Sequence, residues 1–154
     1  MTAFTDGSLS KSEGKEESQM GVGWLVWNDE GTQTEHSKIA FCCGLKEWLS
    51  STRAELGAIW MLLLVAPKGT HIQIYTDSLA AIQAIKKTEK TKKLISCLKM
   101  QNASLLWQIN RVIKLNELEV KFHKVKGHSG IAGNEEADRL AKKGAKSSTC
   151  LTIK

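Results

Sequence analysis

The stretch from Ser51 to Asp77, STRAELGAIWMLLLVAPKGTHIQIYTD, decides the architecture. Its first part predicts a helix from about Arg53 to Ala66. Ser51 and Thr52 offer an N-cap hydroxyl, the interior is almost wholly apolar, and Pro67 ends it. Its second part, Thr70 to Thr76, alternates polar and apolar residues and predicts a strand that delivers Asp77 at its C-terminal end. Upstream, Ala3-Phe4-Thr5 reads as a short strand closed by the turn residues Asp6-Gly7-Ser8. Lys11 to Gln19 reads as a hairpin loop, Gly21 to Trp27 as a second strand, and Thr32 to Cys43 as a third after the turn Asn28–Gly31. Downstream come a short helix from Ser78 to Lys87 and a longer one from Leu94 to Leu115. Then follow a fifth strand from Glu117 to Val125, a loop at Lys126–Gly130 and a last helix from Asn134 to Ala145. The order βββαβααβα predicts an α/β fold: one five-stranded mixed sheet, three antiparallel strands and then parallel crossovers, flanked by helices.

With 154 residues, 42% hydrophobic, the chain is expected to fold as one domain over 1–146, with 147–154 a flexible tail. A single Pro and 25% charged residues exclude collagen-like and Pro-rich classes. The longest apolar run, Ile59 to Ala66, is far short of the roughly 20 residues a bilayer requires, so no membrane association is expected. It lies mid-chain, which excludes a signal peptide. Cys42, Cys43, Cys97 and Cys150 show no C-x-x-C spacing, so reduced thiols and a cytoplasmic or nuclear setting are expected.

The net charge of +6 is unevenly spread. Residues 1–85 carry 6 Lys/Arg against 10 Asp/Glu, whereas residues 86–126 carry 11 against 3. Such a basic segment suits a polyanion, because clustered cations release counterions from phosphates. It also suits an ordinary solvated helix face, and charge alone does not choose between the two.

Four acids stand where chemistry can use them. Asp6 and Asp77 close two strands, and Glu55 and Asp138 fall in the early turns of two helices. Taken singly, the first pair can be turn formers and the second pair can answer a helix dipole. Together they form a cluster whose mutual repulsion calls for a divalent cation. All-oxygen ligands select Mg²⁺ or Mn²⁺ over zinc.

The blocks Phe4-Thr5-Asp6-Gly7-Ser8, Ser51-Thr52-Arg53-Ala54-Glu55-Leu56, Tyr75-Thr76-Asp77-Ser78 and Gly127-His128-Ser129-Gly130 through Ala141 occur in this order. Their order and content resemble type 1 ribonuclease H over nearly the whole chain, with Gly127–Ala141 the most specific block. The resemblance implies a ribonuclease H-like fold and cleavage of the RNA strand of an RNA–DNA hybrid, leaving 5′-phosphate and 3′-hydroxyl ends. It implies Asp6, Glu55, Asp77 and Asp138 as ligands of two Mg²⁺ ions, with Mn²⁺ able to substitute. Asp6 would bridge the ions, Glu55 and Asp77 would complete one site, and Asp138 the other. His128 matches the family's mobile-loop histidine, whose near-neutral pKa suits proton transfer or product release.

Candidate substrate-binding residues are Ser8, Ser51, Thr52 and the lysines Lys86, Lys87, Lys90, Lys92 and Lys93. The chain departs from cellular members in two places. Its basic stretch at 86–93 is short and lacks Trp, and Ser51-Thr52 stands where Asn-Gln is common. Both traits resemble retroelement-type domains as much as cellular ones, so a polymerase or reverse transcriptase context is one expectation beside a monomer. The spacing places most Trp residues in the core, with Trp48 suited to stacking near substrate. His36, His71 and His123 carry no role in this reading. Two competing readings are a catalytically silent binding module of the same fold and a DNA-directed nuclease or integrase of similar architecture.

Overall fold

The computed structural model describes residues 1–10, 19–27, 38–91, 96 and 98–153. Strand β1 (Thr2–Ser10) pairs antiparallel with β2 (Gln19–Trp27), and β2 pairs antiparallel with β3 (Lys38–Lys46). Helix α1 (Ser51–Val65) then crosses to β4 (His71–Thr76), which runs parallel to β1. Helices α2 (Leu79–Lys90) and α3 (Ala103–Leu115) cross to β5 (Glu119–Lys124), parallel to β4, and α4 (Ala132–Ala145) follows. Of the predicted hairpin loop from Lys11 to Gln19, residues 11–18 lie outside the described residues and Gln19 already belongs to β2; the turn at 28–31 and the start of the third strand at 32–37 also lie outside them.

Among the described residues the sheet has six strands rather than five, in the order β5-β4-β1-β2-β3-β6. The extra strand, β6 (Cys150–Thr152), lies in the segment the sequence reads as a flexible tail and pairs parallel with β3 through Gly44 to Lys46. Ile153 just beyond it is buried in the main core. A three-residue strand is too short for alternation to announce it.

A second correction concerns the long helix expected from Leu94. Asn102 adopts a left-handed backbone (φ 59°, ψ 30°), so the described helix starts afresh at Ala103. Asn is among the few non-glycine residues that tolerate this region, which apolar periodicity does not reveal.

Helix α1 is capped by Ser50, whose Oγ accepts from the Arg53 amide at 3.0 Å, and it ends at Ala66 before Pro67. Ten of its residues are buried, as expected of a helix enclosed on most sides. Alternation divides the sheet into two faces. Ala3, Val22, Trp24 and Ile74 join α1, α2 and α3 in the main core, while Phe4 and Leu25 pack against Ala137 and Leu140 of α4. Gly23 lets α4 lie directly on the sheet, since a Cβ there would sit 2.4 Å from the Ala141 amide nitrogen. Among the described residues no helix is long and apolar enough to cross a membrane. Cys42, Cys43 and Cys150 are free thiols.

Candidate active site

Asp6 sits at the centre of β1, not at its end. The turn-like triplet Asp6-Gly7-Ser8 is held extended by pairing with Gly23, Val22 and Gly21 of β2. On the other side, β4 pairs with β1 only from Thr2 to Phe4. Carried two residues further, this parallel register sets Asp77, just past the end of β4, alongside Asp6. The strand end that matters is therefore that of β4.

Glu55 arrives from α1, one turn into the helix because the helix begins at Ser51 rather than Arg53. Gly7 makes its approach possible, since a Cβ there would lie 2.3 Å from the Glu55 amide nitrogen. Asp138 arrives from α4. The backbone at Ala137 and Ala141 rests on Gly23, and Gly23 is the register partner of Asp6.

Carboxylate oxygens of Asp6, Glu55 and Asp77 all lie within 4.8 Å of one another. Asp6 is 6% exposed and Glu55 8%, while Asp77 is half-buried. Burial raises the pKa of Asp6, and the charges of Asp77 and Asp138 add to it. Burial also raises that of Glu55, with Asp6 and Asp77 adding their repulsion. The Gly7 amide donates to Asp6 Oδ1 at 2.9 Å, but Glu55 Oε2 is buried with no hydrogen-bond partner. An orphaned buried oxygen among like charges is a poor resting arrangement for the protein alone. It fits a hard divalent cation, and the all-carboxylate donor set fits Mg²⁺ or Mn²⁺. Asp138 stands outside this trio. Its Oδ2 accepts from Lys142 Nζ at 2.6 Å, and the bond to this carboxylate raises the Lys142 pKa.

The loop carrying His128 adjoins the cluster, since a Cβ at Gly127 would lie 2.6 Å from Asp77 Oδ2. His128 is exposed in a left-handed conformation (φ 52°). The loop is braced by Ser129 Oγ donating to the Lys126 carbonyl at 2.6 Å and by the Gly130 amide donating to Glu135 Oε1 at 3.1 Å.

The candidate substrate residues separate. Thr52 and Lys87 line one groove of about 350 Å³ together with Gln83, Gln101 and Asn102. Lys86 lines a different groove, beside Glu89 and the strands β4 and β5. Lys90 is exposed at the end of α2, Ser51 is exposed at the start of α1, and Ser8 is half-buried in β1. Lys92 and Lys93 lie outside the described residues. His71 pairs with Glu119 at 2.7 Å, His123 stacks on Tyr75, and His36 lies outside the described residues. Trp48 is 81% exposed, and Trp107 is exposed as well, against the expectation of a core position.

Two residues near the site escaped sequence reasoning. Lys142 had a usable signal, the i,i+4 spacing from Asp138. Arg53 did not, because what it touches is far away in the chain: its guanidinium is buried against the Ile153 carbonyl and Asn102.

Comparison with known proteins follows the same outline. The RNase H family matches residues 1–146. Ribonuclease H of Chlorobium chlorochromatii is 30% identical over 152 residues, covering 95% of each chain. Ribonuclease H of Orientia tsutsugamushi is 30% identical over 146 residues, covering 92% of this chain and 79% of that one. Ribonuclease H1 of Mus musculus is 29% identical over 94% of this chain and 50% of its own. Among solved structures, LC9-RNase H1, described as a type 1 RNase H with the type 2 active-site motif, aligns with a TM-score of 0.70 at 18% identity, covering 94% of this chain and 71% of that one. A foamy viral protease-reverse transcriptase in complex with dsDNA aligns with a TM-score of 0.66 at 19% identity, covering 94% and 93%. These two show the shared fold. With a family match over 146 of its 154 residues and a relative at 30% identity covering 95% of each chain, the chain belongs to the RNase H family and is a ribonuclease H, an endonuclease of RNA–DNA hybrids.

Proposed function

We propose that the protein hydrolyses the RNA strand of RNA–DNA hybrids with two divalent cations, Mg²⁺ or in its place Mn²⁺, leaving 5′-phosphate and 3′-hydroxyl ends. The observation that carries this reading is the gathering of Asp6, Glu55 and Asp77 within 4.8 Å, with Asp138 close enough to raise the Asp6 pKa. Asp6 is the natural shared ligand, because it lies at the centre of β1 in the field of both Asp77 and Asp138. Glu55 and Asp77 would complete one ion's set and Asp138 the other's. When bound, the ions supply positive charge that acidifies the attacking water and offsets charge building on the phosphate.

The chain's own groups do the rest. Buried Asp6 and Glu55 hold their carboxylates in place without the entropy of mobile surface side chains. Lys142 pairs with Asp138, and where Asp138 turned to an ion Lys142 would be left as a free cation beside the site. His128, on a loop seated against Asp77, exchanges a proton at the leaving oxygen or helps the product depart. Thr52 and Lys87, on one groove, meet the nucleic-acid backbone.

The test is cleavage of end-labelled RNA–DNA hybrid in Mg²⁺, beside single-stranded RNA and duplex DNA. Cutting confined to the RNA of the hybrid supports the reading. Binding without cutting would instead mark a silent module, and cutting of duplex DNA a DNA-directed nuclease.

A further inference from the structure

Arg53 is the largest fully buried side chain of the described protein, at 2% exposure, yet among the described residues no carboxylate forms a salt bridge with it. Its guanidinium instead spans two distant segments. One arm donates to the Ile153 carbonyl and the other to Asn102 Oδ1 at 3.2 Å, while its Cζ lies 5.7 Å from the centre of the Trp48 ring. A buried cation that hydrogen-bonds only neutral acceptors, with its Nε unpartnered and Glu47 acting on it through charge alone, is a costly way to fill space. An apolar side chain of similar length is often neutral or stabilising at such a position. What the planar fork does supply is a fixed geometry between three parts of the chain.

One of those parts is the C-terminal strand. The Gly44 amide donates to the Thr149 carbonyl at 2.9 Å, Cys150 to Thr152 pair with β3, and Ile153 is buried in the core beside Gly57 of α1. These residues lie beyond the segment matched by the family, which ends at 146. The part they hold is the first turn of α1, which presents Ser51, Thr52 and, one turn on, Glu55. At Gly7 that turn already touches the β1 backbone and has no room to move inward. The hold on Arg53 keeps it from moving outward.

We propose that residues 149–153 act as a strap that fixes Arg53, and that Arg53 is a positioning residue for Glu55 and the start of α1. The inference rests on the hybrid-cleaving reading only for its activity readout. Its experiment compares the full chain with Arg53→Met, Arg53→Lys, a chain ending at residue 148, and the truncation combined with Arg53→Met. Melting temperature, Mn²⁺ affinity by calorimetry and kcat/KM on hybrid are measured for each.

Arg53→Met is expected to melt at or above the wild-type temperature. It should bind Mn²⁺ about tenfold more weakly and lose roughly 10- to 100-fold in kcat/KM, since misplacement by about 1 Å costs on the order of 100-fold. Arg53→Lys, without the planar fork, should not restore it. The combined variant should lose no more than the worse of its two parents, because both changes act through one contact. Wild-type Mn²⁺ affinity in Arg53→Met would overturn the proposal, and so would losses that multiply in the combined variant. Arg53→Met and Arg53→Lys decide the matter even where the truncated chain does not fold. A wild-type chain that binds Mn²⁺ but leaves hybrid intact would refute the activity reading alone, with the strap still read from Mn²⁺ affinity.

Discussion

Glu55 and Asp6 bind their protons more tightly in the folded protein than in the unfolded chain. Their folded pKa values are raised from the carboxylate range, Asp6 to about 7 and Glu55 to about 10, by burial first and by neighbouring carboxylates second. Between about pH 4 and those values the native state binds more protons than the unfolded state, so stability falls as pH rises. In EDTA the melting temperature should therefore drop from pH 5 to pH 8. Glu55→Gln should flatten that slope, and saturating Mg²⁺ should flatten it too, because the cation replaces the protons. A slope unchanged by Glu55→Gln would detach the cluster from this behaviour. His128→Ala should cost about 10²–10⁴-fold in turnover, the range of general acid–base help, and should remove one limb of the pH–rate profile. Superimposable profiles would leave His128 without a role in proton transfer.

At the scale of elements, α2 separates its lysines. Lys87 shares a groove with Thr52 at the start of α1, whereas Lys86 faces β4 and β5 beside Glu89. Lys87→Ala should raise KM for hybrid several-fold with kcat nearly unchanged, because only uniform binding is lost. The slope of log affinity against log salt should become shallower by about 0.7 to 0.9. Lys86→Ala should do neither. Equal effects from the two would return the segment to a diffuse basic face.

Helix α1 and strand β4 were legible in the sequence, since apolar content, Pro67 and alternation are local signals. The centre position of Asp6 was not, because its turn-like neighbours are overruled by pairing with β2. Nor was the break at Asn102, where the leucine spacing runs on although the backbone does not.

For the molecule as a whole, the resemblance carried by ordered motif blocks anticipated the ribonuclease H-like fold, and of the four acids it named, Asp6, Glu55 and Asp77 bring carboxylate oxygens within 4.8 Å of one another. The sheet register explains why acids far apart in the chain arrive at one place: Asp77 follows the last pairing of β4, and α4 rests on the register partner of Asp6. Long-range polar contacts stayed hidden. Arg53 meets groups 49 and 100 residues away, and β6 has no pattern of its own until β3 lies beside it. Neither leaves a period in the sequence.

The central claim is that the carboxylate cluster hydrolyses RNA paired to DNA through divalent cations, and Asp6→Asn tests it most directly. The substitution removes one charge and almost no volume. Wild-type and variant proteins should be assayed together on a hybrid with labelled RNA and labelled DNA in Mg²⁺, with the ends of the products mapped. The wild type should give RNA fragments with 5′-phosphate and 3′-hydroxyl ends and leave the DNA intact. Asp6→Asn should give no detectable cleavage, with a metal-free melting temperature equal to or above the wild type's. Near-wild-type turnover by Asp6→Asn would contradict the central claim.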